Sequence, residues 1–250
     1  MQPFFTLTRR ELGAYFVSLT GYVIITVSLF LIGLSFYTIV SKLQAESTPL
    51  PITELFYITP FFWLVLLLSA PIITMRVFSL EHSTGTFETL MTTPISDWQV
   101  VMAKFTASLI FYMVMWLPLL GCLAAIRYVT RDPSSMDPNI VGTTFLGIFL
   151  LGCLYMSMGC FASSVTKSQM IAAMLSLAIG LSLFILTFLG EQLPMEKGWA
   201  VATLNHMSMI EHMQDFSRGV IDSRAVIYYL SATGFFLFLT YRVVESRRWK

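Results

Sequence analysis

Few side chains in this sequence of 250 residues have types and spacings suited to chemistry, and they are scattered. A nucleotide-phosphate loop needs Gly-x-x-x-x-Gly-Lys-Ser/Thr, so that backbone N–H groups cradle the phosphates. Lys167-Ser168 comes closest, but Thr166 stands where the second glycine must be. The chain is therefore expected to bind no nucleotide or other cofactor and to catalyse nothing itself. There is no His-Glu-x-x-His metal helix, and no paired carboxylates fall inside the uncharged stretches. His206, Glu211, His212 and Asp215, with Met207, Met209 and Met213, make up the one group with soft or borderline metal-ligand chemistry. Its two histidines are six apart rather than at the helical spacing of three or four, and methionine also fills irregular apolar contacts. A metal-handling role stays open as an alternative, to be tested by replacing His206 and His212.

The elements that must position these groups are set by lipid. The chain is 56% hydrophobic and 12% charged, with a mean hydropathy of +0.75, outside the range of soluble domains. The 15 basic and 14 acidic side chains nearly cancel, so nothing suggests nucleic acid. Cys122, Cys153 and Cys160 sit in apolar runs and read as packing residues. Uncharged stretches run from 12 to 41, 55 to 75, 105 to 126, 138 to 166, 168 to 190 and 225 to 241. A helix needs roughly 20 apolar residues to cross about 30 Å of hydrocarbon. In an open chain only helices satisfy the backbone there. The expectation is a single all-α domain over 1–250 with six spans at about 20–41, 55–76, 100–127, 139–164, 168–190 and 225–243. The first stretch is too long for a cleaved signal peptide and is read as retained.

Orientation follows the basic residues. With a cytoplasmic N-terminus, Arg9, Arg10, Arg76, Lys104, Lys167, Arg242, Arg247, Arg248 and Lys250 lie inside, against Lys42, Arg127, Arg131, Lys197, Arg218 and Arg224 outside. Both termini are expected in the cytoplasm. Before the first span, Phe4, Phe5, Leu12, Tyr15, Phe16 and Leu19 share one helical face while Thr6, Arg9 and Arg10 face away, which describes an amphipathic helix over about 3–18. Gly13 and Gly21 are candidate bends between it and the first span. Between spans five and six, Val201, Leu204, Met207, Met209, Ile210, Met213 and Phe216 have helical spacing and predict one or two short helices lying on or dipping into the outer leaflet.

The loop from Arg76 to Ala103 is too long to be a turn. Gly85 breaks the helix leaving span two, Thr86 with Glu88 caps a new short helix, and Pro94 with Ser96-Asp97 ends it and starts the next. Pro71, Arg76, Glu81, Gly85-Thr86-Phe87-Glu88, Leu90, Pro94-Ile95-Ser96 and Lys104 form an ordered string that resembles the ABC-2 type permease family. Ser217 to Arg224 before the last span and Glu245 to Trp249 after it resemble the gliding-motility-associated branch of that family.

The resemblance implies an elbow helix at about 3–18 and a coupling helix within about 81–94. It also implies a second cytoplasmic contact at Ser163 to Ser168. Glu81, Gly85, Thr86, Glu88, Leu90, Pro94 and Lys167 are the residues it assigns to ATPase coupling. Arg9 and Arg10 would link the elbow helix to them; Glu81 and Glu88 either touch the ATPase or brace the elbow, or serve only as helix caps. The implied assembly is two permease subunits, identical or different, and two ABC ATPase subunits carrying ATP and Mg, in the cytoplasmic membrane of a bacterium. The implied task is export of an amphiphilic or lipid-linked substrate. The alternative is an ATP-driven mechanical subunit acting on a periplasmic or external partner protein.

Overall fold

A computed structural model describes residues 2–45, 52–86, 95–130, 137–192 and 207–248. Among them every regular element is a helix: α1 (Gln2–Val17), α2 (Leu19–Ala45), α3 (Ile52–Ile58), α4 (Pro60–Thr74), α5 (Ser79–Thr84), α6 (Asp97–Trp116), α7 (Pro118–Thr130), α8 (Pro138–Val165), α9 (Gln169–Gln192), α10 (Met209–Ser217) and α11 (Ser223–Arg248). Six helical stretches are long and apolar enough to cross a membrane, which agrees with the all-α, six-span expectation. With six crossings both termini lie on one face, called here the terminal face; the other is the far face.

Proline and serine set the breaks. The first helix, α1, gives way at Ser18, whose hydroxyl oxygen accepts the backbone N–H of Gly21 at 3.0 Å and so starts α2. Gly13 lies inside α1, so the bend falls on Ser18 beside Gly21 rather than at Gly13. Pro60 has no N–H to offer the Phe56 carbonyl, and span two is split there into α3 and α4. The freed carbonyls are recovered inside the bundle: Thr59 Oγ1 donates to Phe56 O at 2.7 Å and Trp63 Nε1 to Tyr57 O at 3.0 Å. Unpaired backbone groups in hydrocarbon are costly, so these bonds are what allow a broken helix at this depth. Pro118 divides span three in the same way, between α6 and α7.

The centre is α8. Of its most apolar window 78% is buried, against 22% for α9 and α11, so α8 is wrapped by protein and the other two face lipid on one side. Its small residues admit neighbours. A Cβ on Gly159 would strike the Thr74 side chain, one on Gly152 the Tyr112 ring, and one on Gly147 would lie 2.9 Å from Met213 Cε. The small positions thus serve close approach within the subunit.

On the far face, α10 is driven into protein rather than laid on lipid. Met209, Met213 and Phe216 are buried to 1% exposure or less. The Tyr155 hydroxyl donates to Met209 Sδ at 3.8 Å. The methionines at 209 and 213 are therefore packing residues against α8, and His212 stacks edgewise on Tyr229. His206 lies outside the described residues. Among the described residues no group of three His, Cys, Asp or Glu side chains is placed to hold a metal ion.

Candidate functional site

On the terminal face, four charges from three separate elements meet at the foot of the bundle. Lys104, in the second turn of α6, is 2% exposed. Its Nζ donates to the Val77 carbonyl at 2.8 Å and to Glu81 Oε1 at 2.9 Å, and lies 3.3 Å from Glu11 Oε1. Arg10 closes the ring, 2.7 Å from Glu11 Oε1 and 3.6 Å from Glu81 Oε1. The result is two cations and two carboxylates, neutral in sum, shared by the elbow helix, the helix leaving span two and the start of span three. An ammonium this buried is tolerated because a carbonyl and two carboxylates surround it as partners. Burial alone would push the Glu11 carboxyl up, but Lys104 and Arg10 together outweigh burial and hold it below its usual 4.5.

The surrounding chain is built to hold this node. Ser163 on α8 accepts the N–H groups of Phe78 and Ser79, at 3.0 and 3.1 Å, and donates to the Met75 carbonyl at 3.2 Å. It thus supplies partners for the backbone where α4 passes into α5, near the orphan donors of a helix start. From the elbow side, Tyr15 donates to the Ile73 carbonyl at 3.0 Å and stacks on Phe111 with ring centroids 5.0 Å apart. Gly85 then ends α5 at φ 73°, a left-handed conformation that glycine adopts without a Cβ penalty. At the start of α6 the Ser96 hydroxyl accepts the Gln99 N–H while the Gln99 side-chain oxygen accepts the Ser96 N–H, a reciprocal cap.

The structure does not bring all the residues named from sequence together. Glu81 and Arg10 are in the node, but the principal partner of Glu81 is Lys104. Arg9, one residue away, is exposed and outside the node. Gly85 and Thr86 follow immediately, and the Thr86 hydroxyl lies 2.8 Å from that of Thr84. Glu88, Leu90 and Pro94 lie outside the described residues. Lys167 stands apart, in the exposed turn between α8 and α9. Within the second expected contact, Ser163 and Ser164 are fully buried, so only its latter part is available at the surface. Lys104 and Glu11 were not among the candidate site residues. The available signal was a lone lysine at the mouth of an uncharged stretch, with glutamates at 11 and 81 among the acidic residues on the same face.

A second paired charge lies on the far face. Arg218, half exposed, makes a bidentate contact to Glu54, 2.7 and 3.0 Å, and the Glu54 side chain is 3% exposed. Thr53 donates to the Ser217 carbonyl at 2.9 Å, so the end of α10 is tied to the start of span two. Gly219, at φ 86°, turns the chain toward α11.

With this geometry in view, residues 35–218 match the sequence model of a family described as "ABC-2 family transporter protein". No curated protein matches the chain.

Proposed function

Because the chain belongs to the ABC-2 transporter family, whose members are multi-pass membrane subunits of ABC transporters paired with an ABC ATPase, we propose that it is an exporter permease in which the Lys104 node receives the stroke of that ATPase. On this reading the terminal face is cytoplasmic, two permease copies sit on two ATPase subunits that carry ATP and Mg, and the membrane is a bacterial cytoplasmic membrane. The observation that supports the coupling role is the node itself. Glu81 binds Lys104 at 2.9 Å, and only three residues separate Glu81 from Gly85, beyond which the sequence runs to Glu88, Leu90 and Pro94. A push on that segment is delivered to α5, and the shared charges pass it to α1 and to span three together.

The substrate class is supported by the far half. A lateral cavity of about 450 Å³ opens between α3, α4, α9 and α10, walled by Tyr57, Trp63, Leu67 and Phe184 with the Gln214 amide at its edge. Aromatic and aliphatic walls with one or two polar groups suit an amphiphile or a lipid-linked molecule and give a small ion nothing to replace its water. For transport, the two nucleotide states of the ATPase must stabilise different arrangements of the spans.

The test is co-purification of the tagged chain with its ATPase from detergent or nanodiscs, comparing wild type with a Glu88→Arg, Leu90→Asp double variant. A stoichiometric ATPase that the folded double variant loses supports the reading. An ATPase that is never retained refutes it. One retained and stimulated, with no solute moved, would redirect the reading to a mechanical task on an external partner.

A further inference from the structure

On the terminal face, about 510 Å³ of open space is enclosed between the α8–α9 turn and the end of α11, lined by Val165, Lys167, Val243, Ser246 and Arg247. Two cations therefore line one cavity. Neither forms an ion pair among the described residues, although Arg242, one turn earlier on α11, is taken by Glu245 at 3.0 Å. The Arg247 guanidinium is oriented by a bond from an Nη to the Val165 carbonyl at 2.8 Å, and among the described residues no other hydrogen bond from it is seen. Arg76 donates to the side-chain oxygen of Gln169 at 3.2 Å. Lys167 and Arg247 both act on His82 from this side, whereas the buried Lys104 is already neutralised by Glu81 and Glu11.

The surroundings are as specific as the charge. Val165 and Val243 form apolar walls beside the cations, and Ser246 adds a hydroxyl. The helix that leaves the turn, α9, begins with Met170 and Ile171, 76% and 56% exposed, on a helix that faces lipid. The cavity thus lies at the ends of three spans and combines cationic with apolar lining.

We propose that this cavity is a binding site for the phosphate of an anionic phospholipid headgroup, held by Arg247 and Lys167. Arginine offers a planar fork to phosphate oxygens and lysine a point charge, and basic pockets between spans are a known place for such lipids. The proposal needs only that this face meet lipid headgroups, so it does not depend on the orientation or on the coupling role proposed above. It does reassign Lys167, expected from resemblance to touch the ATPase, to the lipid.

The test uses the purified full chain in neutral detergent, titrated with phosphatidylglycerol or phosphatidylcholine and read by native mass spectrometry for retained lipid. Wild type should retain about one phosphatidylglycerol per chain under conditions that strip phosphatidylcholine. Lys167→Gln and Arg247→Gln should each weaken retention about fivefold and together about twenty-five-fold. Arg242→Gln, already engaged by Glu245, should leave retention unchanged, and Lys167→Arg should preserve it. Equal retention of both lipids, or full retention by the folded double variant, overturns the proposal. So does competition by millimolar inorganic phosphate as effective as that by lipid, which would mark a soluble-anion site. Loss of the ATPase by the double variant with phosphatidylglycerol retention intact would assign the surface to that partner and equally overturn it.

Discussion

Removing Lys104 is the sharpest perturbation the structure allows. In Lys104→Met the apolar stem is replaced at similar volume, but Glu81 and Glu11, with side chains 14% and 19% exposed, lose the cation at 2.9 and 3.3 Å. Breaking a buried pair from one side costs roughly 3–5 kcal/mol. The low end, about 3 kcal/mol, is expected here, because Arg10 remains 2.7 Å from Glu11 and both carboxylates have some access to water. Glu81→Gln is milder: the amide oxygen still accepts from Nζ, so a charge-assisted bond becomes a neutral one at about 1–2 kcal/mol. The double variant keeps the Arg10–Glu11 pair and strands no carboxylate at position 81. Its loss should fall below the sum of the single losses by about 1 kcal/mol or more. SDS titration of the reconstituted protein, followed by far-UV circular dichroism, measures all three. If Lys104→Met lies within about 0.5 kcal/mol of wild type, or the two effects simply add, the node is not the buried network described and the coupling argument built on it fails.

Other outcomes follow from the same geometry. Glu11 has a depressed folded-state pKa, so its contribution to elbow docking is complete above its unfolded value of about 4.5 and is lost as pH falls through the lower folded value; Glu11→Gln should flatten that acid-side loss in a pH series of melting temperatures. Gly159→Ala forces a methyl group into Thr74 and should destabilise by about 1–3 kcal/mol, with Thr74→Gly recovering part of it in the same SDS titration. At Gly85 nothing lies within 4 Å of an added Cβ, so Gly85→Ala should cost only the left-handed backbone penalty, about 1–2 kcal/mol, and Gly85→Asn less. Arg218→Gln leaves the buried Glu54 without its cation; limited proteolysis should then cut near Ser217 to Asp222 faster, and Glu54→Gln in the same chain should restore resistance.

The spans were legible in the sequence because lipid imposes length and hydropathy on each segment separately, with no need to know its neighbours. Gly85 and Ser96 were legible for a similar reason, since left-handed ends and helix caps are local chemistry. The Lys104 node was only half legible. Glu81 and Arg10 were named, but a lysine that opens a hydrophobic stretch reads as a topological marker, and only the fold brings Glu11, from 93 residues earlier in the chain, to 3.3 Å from it. The Met-rich segment misled in the other direction. An amphipathic stripe shows that one face is buried, not whether lipid or protein buries it, and here the partner is α8, opened by Gly147.

The choice of charges at the foot bears on why the node suits coupling. An apolar cluster of the same volume would hold the elbow, α5 and α6 at least as firmly, since buried ion pairs are often no more stable than hydrophobic replacements. What charges add is direction and exchange. Lys104 is anchored to the Val77 carbonyl whichever carboxylate it faces, while Glu81 and Glu11 both have Arg10 as a second partner at the water boundary. A shift of α5 that lengthens Glu81–Lys104 can therefore be met by a stronger Glu81–Arg10 contact, without stranding a charge at any point along the way. Two arrangements of nearly equal energy are what a partner's nucleotide state needs in order to select between them. A Lys104→Met, Glu81→Met, Glu11→Met triple variant should on this reasoning be as stable as wild type in SDS yet fail to stimulate its ATPase. Full stimulation by that variant would show that the charges serve placement alone.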